Sequence, residues 1–135
     1  MSAYFVPTAA GVDAFVAMAD RGVAVRVLTN SLEATDVAPV HAGYAKWRKR
    51  LLQAGIAISE LRRLSPDRGK RKRRGSLGRS GLSLHAKTFS VDRSRLFIGS
   101  FNFDPRSANL NTEMGVVIDS PALAKRIAKF CENRI

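Results

Sequence analysis

The stretch "LSLHAKTFSVDRSRLFIGS" (82–100) decides the fold. Apolar, β-branched and aromatic residues stand on both sides of the turn "DRSR" (92–95), so the two arms are predicted to pair as a β-hairpin. On the first arm, residues two apart project to one face, which groups His85 and Lys87 with Phe89 and Val91. An imidazole and an ammonium therefore stand at one end of an otherwise apolar strand face. Asp92 follows five residues after Lys87, at the turn.

The segments outside this hairpin supply an α/β frame. "AYFVP" (3–7) reads as a short buried strand ended by Pro7, and an opening inside a core strand suggests the rear portion of something longer. "TAAGVDAFVAMADRG" reads as a helix with Thr8 as N-cap and Gly22 as its stop. The strand "VAVRVLTN" (23–30) follows at an interval that suits a βαβ crossover. "SLEATDVAP" (31–39) is then a loop at a strand's C-terminal end, where α/β folds place ligands. "VHAGYAKWRKRLLQAG" (40–55) reads as a second helix and "IAISEL" (56–61) as a third strand. After the hairpin, "NTEMGVVID" (111–119) is a strand, and "SPALAKRIAKFCENR" is a helix with Ser120 as N-cap and Pro121 at its first position. The expected fold class is α/β, a mixed β-sheet flanked by helices, forming one domain over residues 1–135 with a basic loop at about 65–82.

Bulk properties exclude several classes. Net charge is +12, and "RGKRKRRGSLGR" (68–79) alone holds seven Lys/Arg and no acid, leaving about +5 for the rest. The charge is therefore a cluster. Cys131 is the one cysteine, so an intramolecular disulfide and a Cys2His2-type zinc site are both ruled out. Asp13 interrupts the first apolar stretch, and no apolar run reaches the roughly 20 residues a membrane-spanning helix needs.

The residues around the hairpin are the parts of a phosphate-ester site. Lys87 and Asn102 offer charge and an amide donor to a phosphoryl oxygen, and Ser100 adds a hydroxyl. Gly99 lets the backbone approach a ligand. His85 has the chemistry either to attack phosphorus or to protonate a leaving group. A carboxylate behind an imidazole fixes its tautomer, and Glu113 is the preferred candidate, with Asp92 bracing the turn or joining the chemistry. His41 is either a surface residue near a helix start or a rim contact in the substrate cleft. Tyr44 and Trp47, three apart on one helix, read as packing. Arg106 pairs with a phosphate or, as the better reading, with Asp104.

"HAKTFSVD" is H-x-K-x4-D, and "GSFN" follows after six residues. Together they closely resemble the HKD signature of the phospholipase D superfamily. The flanks "YFVP", "RGVAVRVLTNS", "VHAGYAKWRKRLLQAGI", "GSFNFDPRS" and "LNTEMGVVIDSP" resemble the C-terminal half of bacterial cardiolipin synthase-like members. The resemblance implies a two-step phosphatidyl or phosphodiester transfer through a phosphohistidine, with a second histidine protonating the leaving alkoxide and then activating the incoming alcohol or water. It implies no metal and no organic cofactor. Its catalytic residues would be His85, Lys87, Asp92 and Glu113, and its phosphate-binding residues Lys87, Ser100 and Asn102.

The chain departs from the family pattern in one respect: it carries one HKD motif, and the chemistry needs two imidazoles. The second is expected from a missing N-terminal HKD half or from a second copy of the chain, as in the small single-motif nucleases of the superfamily. The implied substrate is a phosphatidylglycerol-like phospholipid on an anionic membrane surface, with the protein peripheral to the cytoplasmic side of a bacterial inner membrane. A third reading is a catalytically silent basic module. The run at 68–79 would attract anionic lipid or nucleic acid. No aromatic residue is interleaved with it to stack on bases, which disfavours nucleic acid.

Overall fold

The computed structural model describes residues 1–35, 37–61 and 83–132; the basic loop expected at about 65–82 lies outside the described residues. The elements run α1 (Ala9–Asp20), β1 (Arg26–Asn30), α2 (Ala38–Gln53), β2 (Ala57–Leu61), β3 (Thr88–Val91), β4 (Arg95–Gly99), α3 (Pro105–Asn109), β5 (Gly115–Asp119) and α4 (Pro121–Glu132).

Local chemistry sets the helix ends. Thr8 caps α1, its hydroxyl accepting from the Gly11 N–H at 3.1 Å. Gly22 and Gly55 follow α1 and α2 with φ of 80° and 81°. At each, two backbone N–H groups reach back to the last turn: Gly22 to Ala19 and Val23 to Met18, then Gly55 to Leu52 and Ile56 to Leu51. This double bond closes a helix only where a residue tolerates the left-handed region. Ser120 precedes α4, and its hydroxyl accepts from the Leu123 N–H at 3.4 Å.

The strands form two ladders. β1 and β2 are parallel, with Arg26 opposite Ala57 and Asn30 opposite Leu61. β3, β4 and β5 form an antiparallel meander in that order. The predicted hairpin is its first pair, Thr88 facing Ile98 and Val91 facing Arg95. The sequence predicts a regular strand over 3–7; the structure has isolated bridges there instead, Ser2 to Lys87 and Phe5 to Phe103. Those first residues stitch the two ladders together. Ser2 N–H donates to Leu28 of β1, Ala3 N–H donates to Ala86, and Thr88 N–H donates to the Met1 carbonyl. Bonding to both sides over so few residues leaves no room for a ladder with either.

The core lies where the helices cover β1. Phe5, Val12, Val27, Tyr44, Leu51 and Ile56 form its buried cluster, with Trp47 and Phe103 packed against it. Phe5 lies between three rings, 5.9 Å from Phe15, 5.9 Å from Tyr44 and 5.5 Å from Phe103. The Tyr44 hydroxyl is near Glu60 and Arg48 but outside hydrogen-bond geometry. Burial, then the Glu60 charge, pushes its ionisation above the ordinary phenol range.

In the meander, Phe89, Phe97 and Val117 align across one face, and the two phenyl rings stack at 4.8 Å. Gly99 is closely approached on this face. A Cβ there would stand 2.5 Å from the Met114 carbonyl oxygen and 2.7 Å from the Phe97 ring. Backbone cannot yield as a side chain can. Gly99→Ala is expected to lower stability by about 1–3 kcal/mol, the usual cost of overpacking. A thermal midpoint unchanged within error would refute that.

Candidate active site

His85, Lys87, Ser100 and Glu113 are held at one end of the meander, before β3, after β4 and before β5. His85 sits three residues before β3 and is exposed, while Lys87 is half-buried. The Lys87 Nζ lies 3.2 Å from the His85 Nε2 and donates to the His85 carbonyl at 3.1 Å. An ammonium can only donate, so the Nε2 accepts, and the ring proton belongs on Nδ1. The Lys87 carbonyl accepts from the Gly99 N–H at 3.2 Å, which ties the pair to the start of "GSFN".

Ser100 and Glu113 meet across the end of the β4–β5 ladder. The Ser100 hydroxyl donates to a Glu113 oxygen at 2.5 Å and accepts from the Met114 N–H at 3.0 Å. The other Glu113 oxygen accepts from the Asn111 amide at 3.1 Å. These bonds revise two expectations. Glu113 is spent on Ser100 and Asn111, not on the His85 ring. In this arrangement the Ser100 O–H points at Glu113, so its one proton is engaged there and is not offered to a phosphoryl oxygen.

The hydrogen bonds from Ser100 and then Asn111, with the nearby Ser107 hydroxyl and the Lys87 charge adding smaller effects, hold the Glu113 carboxyl below its ordinary range. The depressed value favours the ionised form. The cluster therefore persists above the ordinary carboxylate range and is lost only as pH falls through the lowered value. Ser100→Ala is expected to raise the Glu113 titration toward that of a free glutamate, followed by side-chain carboxyl NMR. An unmoved titration would rule out Ser100 as the main cause.

Asn102 is half-buried. Its Oδ1 accepts from the Tyr4 N–H at 3.4 Å, which leaves the NH2 group as the donor end of the amide.

The other candidates lie elsewhere. Asp92 is at the far end of β3 from His85, about 20 Å away by strand rise. It has φ of 51°, and Arg93 beside it has φ of 50°. The Ser94 N–H closes the turn onto the Val91 carbonyl at 3.0 Å. Left-handed backbone at two central residues matches strand twist, and Asp tolerates it better than most side chains. The structure thus places Asp92 in the turn, apart from His85 and Lys87. Asp92→Asn is expected to leave turnover within about twofold, since surface changes away from a site cost little; a tenfold loss would restore a chemical role.

His41 lies in α2 with 12% of its side chain exposed. Its ring meets Tyr44 edge-on at 5.6 Å, and its Nε2 stands 3.9 Å from Glu60, so it is packed and is not a rim group. Asp104 does not pair with the Arg106 guanidinium. It caps α3, accepting from the backbone N–H groups of Arg106 and Ser107 at 2.9 and 3.0 Å.

Sequence reasoning passed over Asn30. Buried at the end of β1, it bonds the backbone of Leu84. Only its place at a strand's C-terminal end signalled it.

Among the described residues, no group of His, Cys, Asp and Glu has the makings of a metal site, and no helix is long and apolar enough to cross a membrane.

Comparison with known proteins places the whole chain in one family. A family described as "Cardiolipin synthase, PLD-like domain" matches residues 1–135. Cardiolipin synthase C of Escherichia coli is 57% identical over 129 residues, 96% of this chain and 27% of that protein. An uncharacterized protein of Helicobacter pylori is 36% identical over 126 residues, 93% of this chain and 24% of its own length. This chain thus spans about a quarter of these relatives. Among solved structures, Nuc from Salmonella typhimurium, a phospholipase D family member, superposes with a TM-score of 0.63 at 25% identity, covering 98% of this chain and 73% of that one. An H-x-K pair joined through its own side chains, a serine–glutamate pair beside it and a full-length family match lead to one assignment: the chain belongs to the phospholipase D-like domain family of the cardiolipin synthases.

Proposed function

We propose that the chain supplies one HKD half of a phospholipase D-type phosphatidyl transferase whose reaction is cardiolipin synthesis. The observation that carries this is the 3.2 Å contact of the Lys87 ammonium with the His85 Nε2. It keeps the Nε2 lone pair unprotonated, as a nucleophile requires.

In the first step the His85 Nε2 attacks the phosphorus of a phosphatidylglycerol-like lipid. An N–P bond forms, the P–O bond to glycerol breaks, and an imidazole from a second HKD motif protonates the departing oxygen. In the second step that imidazole takes the proton of an incoming lipid hydroxyl, the new P–O bond forms, and the N–P bond breaks. Lys87 and the NH2 of Asn102 stabilise the phosphoryl oxygens. Glu113 holds Ser100 and adds a fixed charge near Lys87. No metal or organic cofactor is invoked.

Identity of 57% to Cardiolipin synthase C supports the lipid substrate, and the N-terminal half of a longer chain is the preferred source of the second imidazole. The basic run at 68–79 adds attraction to an anionic leaflet, about 1 kcal/mol per residue close to the surface. The chain then works as a peripheral protein on the cytoplasmic face of the inner membrane.

The test is phosphatidyl transfer in phosphatidylglycerol vesicles, with and without a supplied N-terminal half. Product only with both halves supports the proposal, and a folded pair that makes none refutes it. Deleting residues 68–79 is expected to weaken vesicle binding steeply and in a salt-dependent way, while hydrolysis of a small soluble phosphodiester persists. Binding unaffected by the deletion would dismiss the loop's role.

A second reading has one specific support, the match to Nuc over 98% of this chain. Here two copies pair and each gives one His85, making a homodimeric phosphodiesterase. Diester hydrolysis by the chain alone as a dimer, lost in His85→Ala, would favour it.

A further inference from the structure

Asn30 ends β1, is 4% exposed, and its side chain makes three hydrogen bonds to backbone. Its Oδ1 accepts from the Leu84 N–H at 2.8 Å. Its Nδ2 donates to the Leu84 carbonyl at 3.0 Å and to the Ala3 carbonyl at 3.2 Å. One carboxamide thus serves both polar groups of Leu84, as a neighbouring strand would. Leu84 immediately precedes His85, in a segment that belongs to no named strand.

We propose that Asn30 is a positioning residue for His85, acting as a one-residue strand that fixes the backbone from which the imidazole projects. The inference rests on the reading of His85 as the attacking group.

The geometry makes the dependence specific. On the C-terminal side, His85 is anchored through Ala86, whose carbonyl accepts from the Ala3 N–H at 3.2 Å, and through Lys87, which bridges Ser2. On the N-terminal side, the described anchor is Asn30. Its bond to the Ala3 carbonyl sets both sides against the same residue. With Asn30 shortened, Leu84 loses both partners, and the ring no longer has one direction of approach to phosphorus or one distance to the Lys87 Nζ. A residue of similar polarity elsewhere on β1 makes no such link; Thr29 is equally buried, and its side chain projects to the opposite side of the strand.

The test compares Asn30→Ala, Asn30→Asp and the control Thr29→Val. The first measurement is NMR of the His85 ring nitrogens in the 135-residue chain, which needs no activity. Asn30→Ala is expected to shift the ring signals and mix the two tautomers, and Thr29→Val to leave both unchanged. The second is kinetics in a complete two-motif protein. Asn30→Ala is expected to lower kcat about 10²-fold, with KM within about twofold, the effect of a misplaced reacting group on a bound substrate. Asn30→Asp keeps the acceptor for the Leu84 N–H, loses both donors, and falls between. If Asn30→Ala does not fold, this near-isosteric variant carries the test alone. Wild-type ring signals in both Asn30 variants, or a kcat loss matched by Thr29→Val, would overturn the proposal. If His85→Ala proves active, the reading of His85 fails, while the ring signals still decide whether Asn30 sets its geometry.

Discussion

His85→Ala is expected to abolish phosphatidyl transfer, lowering kcat by roughly four orders of magnitude or more, as removal of a covalent nucleophile does when the rest of a site survives. The expectation follows from geometry. The Nε2 lone pair is presented toward a donor that a phosphoryl oxygen can displace. No other histidine in the chain can take its place: the only other one, His41, is packed against Tyr44 beside Glu60. His85 is exposed, so its truncation is expected to change stability by no more than about 0.5 kcal/mol. That separates chemistry from folding. The measurement is transfer by the complete two-motif protein, together with the thermal midpoint of the variant chain. A folded His85→Ala protein retaining a tenth of wild-type turnover would end the nucleophile assignment.

Much of the frame was legible because it is written in local rules. The hairpin shows as two period-2 arms around a turn, and the helices end where Gly22 and Gly55 permit left-handed backbone. The first strand was less legible, because pairing is a nonlocal property: residues 1–3 bond toward both ladders and complete neither. Helix α3, at five residues, is too short to show periodicity, although Asp104 and Pro105 carry a cap signature.

The site divides along the same line. Composition and spacing singled out His85, Lys87, Asn102 and Glu113. They could not say which partner Glu113 would choose, since Ser100 and His85 are both within reach of such a carboxylate in sequence terms. They also could not tell that the crowding at Gly99 comes from Phe97 and Met114. Asn30 was least legible of all, because its partner Leu84 lies 54 residues away and an amide at a strand end has many uses.

Lys87→Met is expected to lower kcat about 10²–10³-fold, the loss found when one donor to a developing oxyanion is removed. The thioether side chain keeps the length and loses the charge, so packing is nearly conserved. Two effects should separate in this variant. The transition state loses an ammonium that follows the phosphoryl oxygens. The free protein loses the donor that holds the His85 Nε2 as an acceptor. The second effect shows without substrate: the ring's nitrogen signals should move toward the tautomer protonated on Nε2. Lys87→Arg keeps the charge but presents a planar fork with different reach, so it should recover only part of the rate. Glu113→Gln, by contrast, leaves the His85–Lys87 contact in place and should not move the ring signals. If Lys87→Met loses less than tenfold and the tautomer stays put, the lysine is a bystander. The two-step transfer would then need its charge from another cation.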